Sequence, residues 1–295
     1  MSDHQGGGYY LPSPSGWPIV GSTALALFGV GMVLWVNSVA PGGWLVLAGL
    51  SVLFYMMFGW FGKVIAESES GKYNAQVDRS FRWGMSWFIF SEVMFFAAFF
   101  GALFYARVLS VPWLGEGDTG AILWSGFKST WPTAGPLGAK MIAPMGHAAT
   151  GEFAPMAAWG VPALNTLLLL TSGVTLTIAH WGLKKGNRTQ LILWLALTVA
   201  LGVTFLYYQA TEYHEAYTQM GLTLGAGIYG STFFMLTGFH GFHVTIGTIM
   251  LFVILMRCLK GHFKPDQHFA FEAVSWYWHF VDVVWLGLFV FVYWL

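Results

Sequence analysis

Seven runs of the chain are predominantly apolar, at approximately 17–40, 44–66, 83–106, 159–182, 191–211, 228–256 and 274–295. Each is close to the ~20 residues that cross a bilayer core as a helix. Backbone donors and acceptors in hydrocarbon must be satisfied within the segment, so these runs predict helices rather than open strands. A link of three residues, Pro41, Gly42 and Gly43, separates the first two runs and predicts a tight helical hairpin. A long stretch, 107–158, follows the third run; rich in Gly, Pro, Trp and Thr, it predicts an irregular loop outside the membrane. The pattern divides the chain into a tail at 1–16, a two-helix hairpin at 17–66 and five further spans within 67–295. The expected fold is an all-α polytopic membrane protein with seven transmembrane helices.

Composition sharpens this picture. Hydrophobic residues make up 56% of the 295, and charged residues only 9%, against about 25% in soluble domains. So few charges cannot cover a water-facing surface. The formal net charge is zero, which removes the electrostatic case for nucleic acid as a partner. One cysteine, Cys258, excludes an internal disulfide, a dinuclear thiolate copper centre and an iron–sulfur cluster. The tail from Met1 to Gly16 lacks the basic segment of a secretory signal, and the run after it is too long for one, so it reads as a retained span.

With seven spans the links alternate sides. One side then collects Lys63, Lys72, Arg79, Arg82, Lys184, Lys185, Arg188, Arg257, Lys260 and Lys264; the other collects Arg107, Lys128 and Lys140. The excess of cationic residues predicts a cytoplasmic N-terminus and a C-terminus outside.

Ionisable groups at membrane depth are costly and mark candidate sites. Glu92 lies about nine residues into the third run, roughly 13 Å deep. It can stay protonated, pair with a cation or carry protons. His240 and His243 stand three apart on one helical face of the sixth run, as candidate partners for Glu92 or another buried acid. His243 counts to roughly 20 Å from the same side, a loose match to Glu92. One helix cannot supply both axial ligands of a haem, so metal ligation by this pair is the weaker reading. Asp282, roughly 12 Å into the last run, predicts a helix-to-helix hydrogen bond with His279 as structural polar groups. Glu212 and Glu215 at the outer end of the fifth run predict solvated or interfacial capping. His180 beside Trp181 predicts an interfacial position. Arg257, Lys260 and His262 after the sixth run read either as an ordinary positive-inside anchor or as a site for an anionic lipid headgroup. No P-loop, HExxH, nucleophile-elbow or dinucleotide-binding pattern is present. No catalytic residue and no metal site is expected on this chain.

Several segments, taken together, resemble subunit III of the haem–copper (aa3-type) cytochrome c oxidases, in the bacterial form. They are Arg82-Trp83-Gly84-Met85 leading to Phe90-Ser91-Glu92-Val93-Met94-Phe95-Phe96; Val161-Pro162-Ala163-Leu164-Asn165-Thr166 with Ser172-Gly173-Val174-Thr175 and Ala179-His180; Gln209-Ala210-Thr211-Glu212-Tyr213; Gly230-Ser231-Thr232-Phe233-Phe234 running on to Thr237-Gly238-Phe239-His240-Gly241-Phe242-His243-Val244; and Phe271-Glu272-Ala273 with Trp276-Tyr277-Trp278-His279-Phe280-Val281-Asp282-Val283-Val284-Trp285. The resemblance implies a fold whose first two helices splay from the other five around a V-shaped cleft filled with phospholipid. It implies an accessory subunit with no haem or copper of its own, docked on subunit I, which carries the redox centres. Its implied tasks are to stabilise that core against turnover inactivation, to support proton uptake and to deliver oxygen. Subunit II and, through the complex, cytochrome c are further implied partners, in a bacterial inner membrane. Glu92 matches the family's buried carboxyl in the third span, His243 a histidine near it, and Arg257, Lys260 and His262 positions associated with lipid headgroups. Two departures stand out: Ala226 occupies a position that is often acidic, and the 107–158 loop exceeds its mitochondrial counterpart. A quinol oxidase or nitric oxide reductase subunit is an alternative, although those relatives have five spans. A stand-alone transporter is another, although broken, paired helices are missing.

Overall fold

The structure is a computed structural model and describes residues 10–116, 118–138 and 153–295. Lys140, the start of the tail and positions 117 and 139–152 of the loop lie outside the described residues. Seven helices are long and apolar enough to cross a membrane, and there is no strand among the described residues. The chain forms two compact units, Met1–Trp83 and Gly84–Leu295.

The first unit holds α1 (Trp17–Val36) and α2 (Gly42–Glu69). The link runs over 37–41 rather than 41–43: α1 closes where the Asn37 side chain donates to Val33 O at 2.8 Å, and Gly42 is already helical. Hydrocarbon offers no hydrophobic drive between helices, so close van der Waals approach must hold them. Gly31 and Gly49 supply it. A Cβ on Gly31 would stand 2.6 Å from Val46 N, and one on Gly49 2.6 Å from Phe28 N. After α2, the Tyr73 hydroxyl donates to Glu67 Oε2 at 3.0 Å. Burial and the adjacent Glu67 carboxylate push the Tyr73 phenol above its ordinary pKa.

Helix α3 (Ala75–Phe104) starts eight residues earlier than the apolar run predicts. The Asn74 side chain accepts from Gln76 and Val77 N–H at 3.1 and 3.0 Å, and Asp78 pairs with Arg82 at 2.8 Å. Capping and an i,i+4 ion pair thus build a polar first turn that hydropathy does not see. The far end also differs. The helix continues through wider π-turns at Tyr105–Ser110 into α4 (Val111–Glu116), followed by α5 (Asp118–Leu123). The first part of the predicted irregular loop is therefore helical, with Val111 buried. Pro112, which cannot donate a helical hydrogen bond, is the second residue after the π-turns.

The second unit packs α6 (Val161–Lys184), α7 (Arg188–Thr218), α8 (Gly227–Lys260) and α9 (Phe269–Leu288), which ends in π-turns at Phe289–Trp294. A tight turn joins α6 to α7, with Gly186 at φ +68° and Asn187 capping the Gln190 N–H at 3.1 Å. Helix α8 closes on Gly261 in the left-handed region, where the His262 N–H reaches Arg257 O at 3.1 Å, a glycine-terminated cap.

Helix α9 lies at the centre: 61% of its apolar window is buried, against 28% for α7. Trp278, wholly buried on α9, ties three neighbours together. Its indole N–H donates to Ser172 Oγ on α6 at 2.8 Å. Its ring fills the space left by two glycines, where a Cβ on Gly202 of α7 or on Gly247 of α8 would come within 2.8 Å. About two turns on, Trp285 donates to Thr166 Oγ1 on α6 at 2.9 Å and stands edge-on to Phe205 of α7. Each buried indole keeps a partner for its polar edge, as a dry interior requires.

Candidate functional site

The central polar contact joins α3 to α8. His243 Nε2 lies 2.8 Å from Glu92 Oε2. The other ring nitrogen, Nδ1, is 2.6 Å from the Phe239 carbonyl of its own helix. A carbonyl can only accept, so Nδ1 carries a proton and Nε2 is the atom that changes role. With neutral imidazole, Nε2 accepts from a protonated Glu92; with imidazolium, it donates to the carboxylate. Either way the pair holds one shared proton and no net charge, which is how two ionisable groups can be buried at modest cost. Rings enclose it: Phe96 stands 5.0 Å from the His243 ring, edge-on, and Tyr277 stacks at 6.3 Å. The side chains keep 9% exposure at His243 and 21% at Glu92, so the carboxyl is the end open to the surroundings.

The unequal depths expected of the two residues came from the ends assumed for both runs: α3 starts eight residues before 83, and α8 ends four residues after 256. From the true ends, Glu92 lies seventeen residues past Ala75 and His243 seventeen before Lys260. At 1.5 Å per residue these are the same depth.

His240 does not join them. It is fully buried, its Nε2 3.2 Å from Val281 O of α9, with Phe205 and Trp285 against its ring. Three residues on a helix turn the side chain by about 60° from its neighbour, enough to send it to a different helix. The helix-to-helix bond expected of Asp282 and His279 is instead a contact within α9, Nδ1 to Oδ2 at 3.5 Å. Across from it α6 presents Gly173, whose missing side chain makes room: a Cβ there would be 2.5 Å from Asp282 Oδ2. Glu212 is a correction as well. It is 1% exposed rather than solvated, and Tyr293 donates to its Oε1 at 2.6 Å. The reason is that α7 runs on to Thr218, and the π-turns after α9 bring Tyr293 over it. Glu215 stays exposed.

Arg257, Lys260 and His262 stand together at the end of α8. Lys260 is exposed, Arg257 and His262 are half-buried, and the Arg257 guanidinium lies over the Phe263 ring at 4.5 Å. Arg188 reaches the same end, donating to Leu259 O at 2.7 Å.

A family model described as cytochrome c oxidase subunit III matches residues 7–121 and 119–295. The chain belongs to the cytochrome c oxidase subunit III family. It is 42% identical over 292 residues to cytochrome c oxidase subunit 3 of Dugong dugon, covering 99% of this chain and 98% of that one. The same protein name attaches to a relative from Marchantia polymorpha, 42% identical over 295 residues, covering 100% and 98%. A mammal and a liverwort are thus matched over nearly the whole length. Membership makes this chain a membrane subunit of an oxidase complex. The segments that carry the subunit III resemblance are those that build the contacts above: Glu92 and His243, Ser172 with Trp278, and Thr166 with Trp285.

One cluster escaped the sequence reading. His180, near the end of α6, and His268 and Glu272, at the start of α9, have ligating atoms within 4.8 Å of one another. The spacing of His268 and Glu272, four apart at a helix start, was the available signal. His180, distant in sequence, had no pattern to join it to them.

Proposed function

We propose that this chain is the accessory core subunit of a proton-pumping terminal cytochrome c oxidase, with no redox centre of its own. It docks on subunit I beside subunit II, stabilises subunit I against turnover inactivation, supports proton uptake into it and helps to deliver oxygen. The haem and copper belong to the partner subunits, and cytochrome c meets the complex rather than this chain. The observation that carries the reading is the Glu92–His243 pair: a carboxyl sharing a proton with an imidazole at 2.8 Å, within a wall of aromatic rings and open on its Glu92 side. Such a pair can hold or pass a proton without leaving a net charge in the membrane.

Arg257, Lys260 and His262 hold an anionic phospholipid headgroup; the charges of Arg257 and Lys260 at one helix end favour phosphate, with the His262 ring beside them. The ten-to-three division of Lys and Arg supports a cytoplasmic N-terminus and an external C-terminus. The length of the 107–158 stretch favours a bacterial inner membrane.

Purification from native membranes in mild detergent tests the whole reading. A larger haem-bearing chain is expected to co-purify, the complex to oxidise reduced cytochrome c, and the separated chain to show no haem absorbance. Stoichiometric haem on this chain alone would overturn it.

A further inference from the structure

We propose that His180, His268 and Glu272 form a binding site for a divalent transition-metal ion, with Zn2+ the best match. The three side chains come from two helix ends. His180 is in the last turns of α6; His268 is the N-cap residue of α9; Glu272 lies in the first turn of α9. His268 Nε2 is 3.2 Å from Glu272 Oε1, and His180 Nε2 is 3.7 Å from the same oxygen.

Those separations are the ones a metal needs. Zinc binds imidazole nitrogen and carboxylate oxygen at about 2.0–2.2 Å in tetrahedral geometry, which puts neighbouring ligand atoms roughly 3.3 Å apart. Two edges of that tetrahedron are therefore almost in place, and a small rotation of His180 closes the third. The fourth corner is left for water. The set of two histidines and one glutamate is a recognised zinc ligand combination.

Two further observations point the donor atoms at a ligand. Among the described residues, His180 Nε2 and His268 Nε2 are both buried and neither makes a hydrogen bond, although both face the carboxylate. The second ring nitrogen of His268 is 3.2 Å from the Lys264 carbonyl. That carbonyl can only accept, so Nδ1 carries the proton and the Nε2 lone pair faces the cluster. A backbone carbonyl orienting a ligating imidazole is the usual outer support of a metal site. Side-chain exposures of 21% for His180, 13% for Glu272 and 9% for His268 leave an approach from one side. Lys184 stands one turn beyond His180, and its charge opposes any cation. The site therefore suits an ion that gains strongly from imidazole, and not the oxygen-seeking Ca2+ or Mg2+. Zinc is redox-inert, so such an ion would clamp the end of α6 to the start of α9 without adding electron transfer.

The test uses the full chain as it purifies in detergent with its accompanying subunits. After chelator treatment, it is titrated with Co2+ alone, read by ligand-field absorption, and with Zn2+ against a chromophoric competitor. Wild type is expected to bind one equivalent that His268→Gln and Glu272→Gln remove or weaken by at least about tenfold. Equal stoichiometry and affinity in wild type and both variants would overturn the proposal. If a variant does not assemble, a density map of the Zn2+-treated wild-type assembly decides. A peak among the three side chains supports the site, and none there rejects it.

Discussion

At the scale of single residues, the chemistry rests on who meets whom across helices. Glu92 and His243 meet at 2.8 Å, and each keeps the other from being a lone ionisable group among aromatic rings. Replacing Glu92 with Ala leaves His243 able to stay neutral, with Nδ1 still donating to Phe239. Glu92→Ala is therefore expected to assemble and to change oxygen consumption only modestly. Complete loss of turnover in an assembled complex would refute the accessory role proposed for this carboxyl. His243→Ala is the harsher change, because it strands a half-buried carboxyl. It should cost about 1–3 kcal/mol, visible as a lower midpoint of thermal denaturation in detergent. The same argument applies to Tyr293→Phe. It deletes the donor to Glu212 in a site 1% exposed, and a loss of about 1–3 kcal/mol is expected in the same assay.

At the scale of elements, Trp278 decides how four helices pack. Indole is the largest side chain, and two glycines on α7 and α8 leave the room it takes. A methyl at either glycine would meet the ring at 2.8 Å, where real contacts do not occur. Gly247→Ala is expected to destabilise by roughly 1–3 kcal/mol through overpacking. Combining it with Trp278→Phe should recover part of that loss, since the smaller ring gives way. A double-mutant cycle on thermal stability reads the coupling directly, and strict additivity would show that the two residues do not oppose each other. The hairpin of α1 and α2 follows a related rule at Gly31 and Gly49, where helix backbones rather than an indole occupy the space.

At the scale of the whole molecule, few charges and seven apolar helices set the environment, and the basic end of α8 sets one relation to lipid. Arg257→Ala is expected to reduce retained anionic phospholipid, measured by mass spectrometry of the purified assembly, and to hasten inactivation during turnover. Unchanged lipid content would remove the headgroup assignment. The Arg257 guanidinium also covers the Phe263 ring. Arg257→Lys is therefore the useful companion, because it keeps the charge while losing the flat stacking face.

The sequence alone determined that this is a seven-helix membrane protein of its family, and where along the chain each span lies. Hydrocarbon permits few backbone arrangements, and a run of ~20 apolar residues records its length directly. It also marked Glu92 and His243 as costly groups, because ionisable residues in apolar runs stand out. Helix ends were less legible. The start of α3 depends on Asn74 capping and the Asp78–Arg82 pair, which are polar and carry no hydropathy signal. Pairing was decided only in three dimensions. His240 and His243 share a motif yet face different helices, Asp282 turns to its own helix, and Glu212 is sealed by a tyrosine 81 positions away. His180 meets Glu272 for the same reason: contact between distant segments follows from how side-chain shapes fit between helices, and apolar lipid leaves no trace of that fit along the chain.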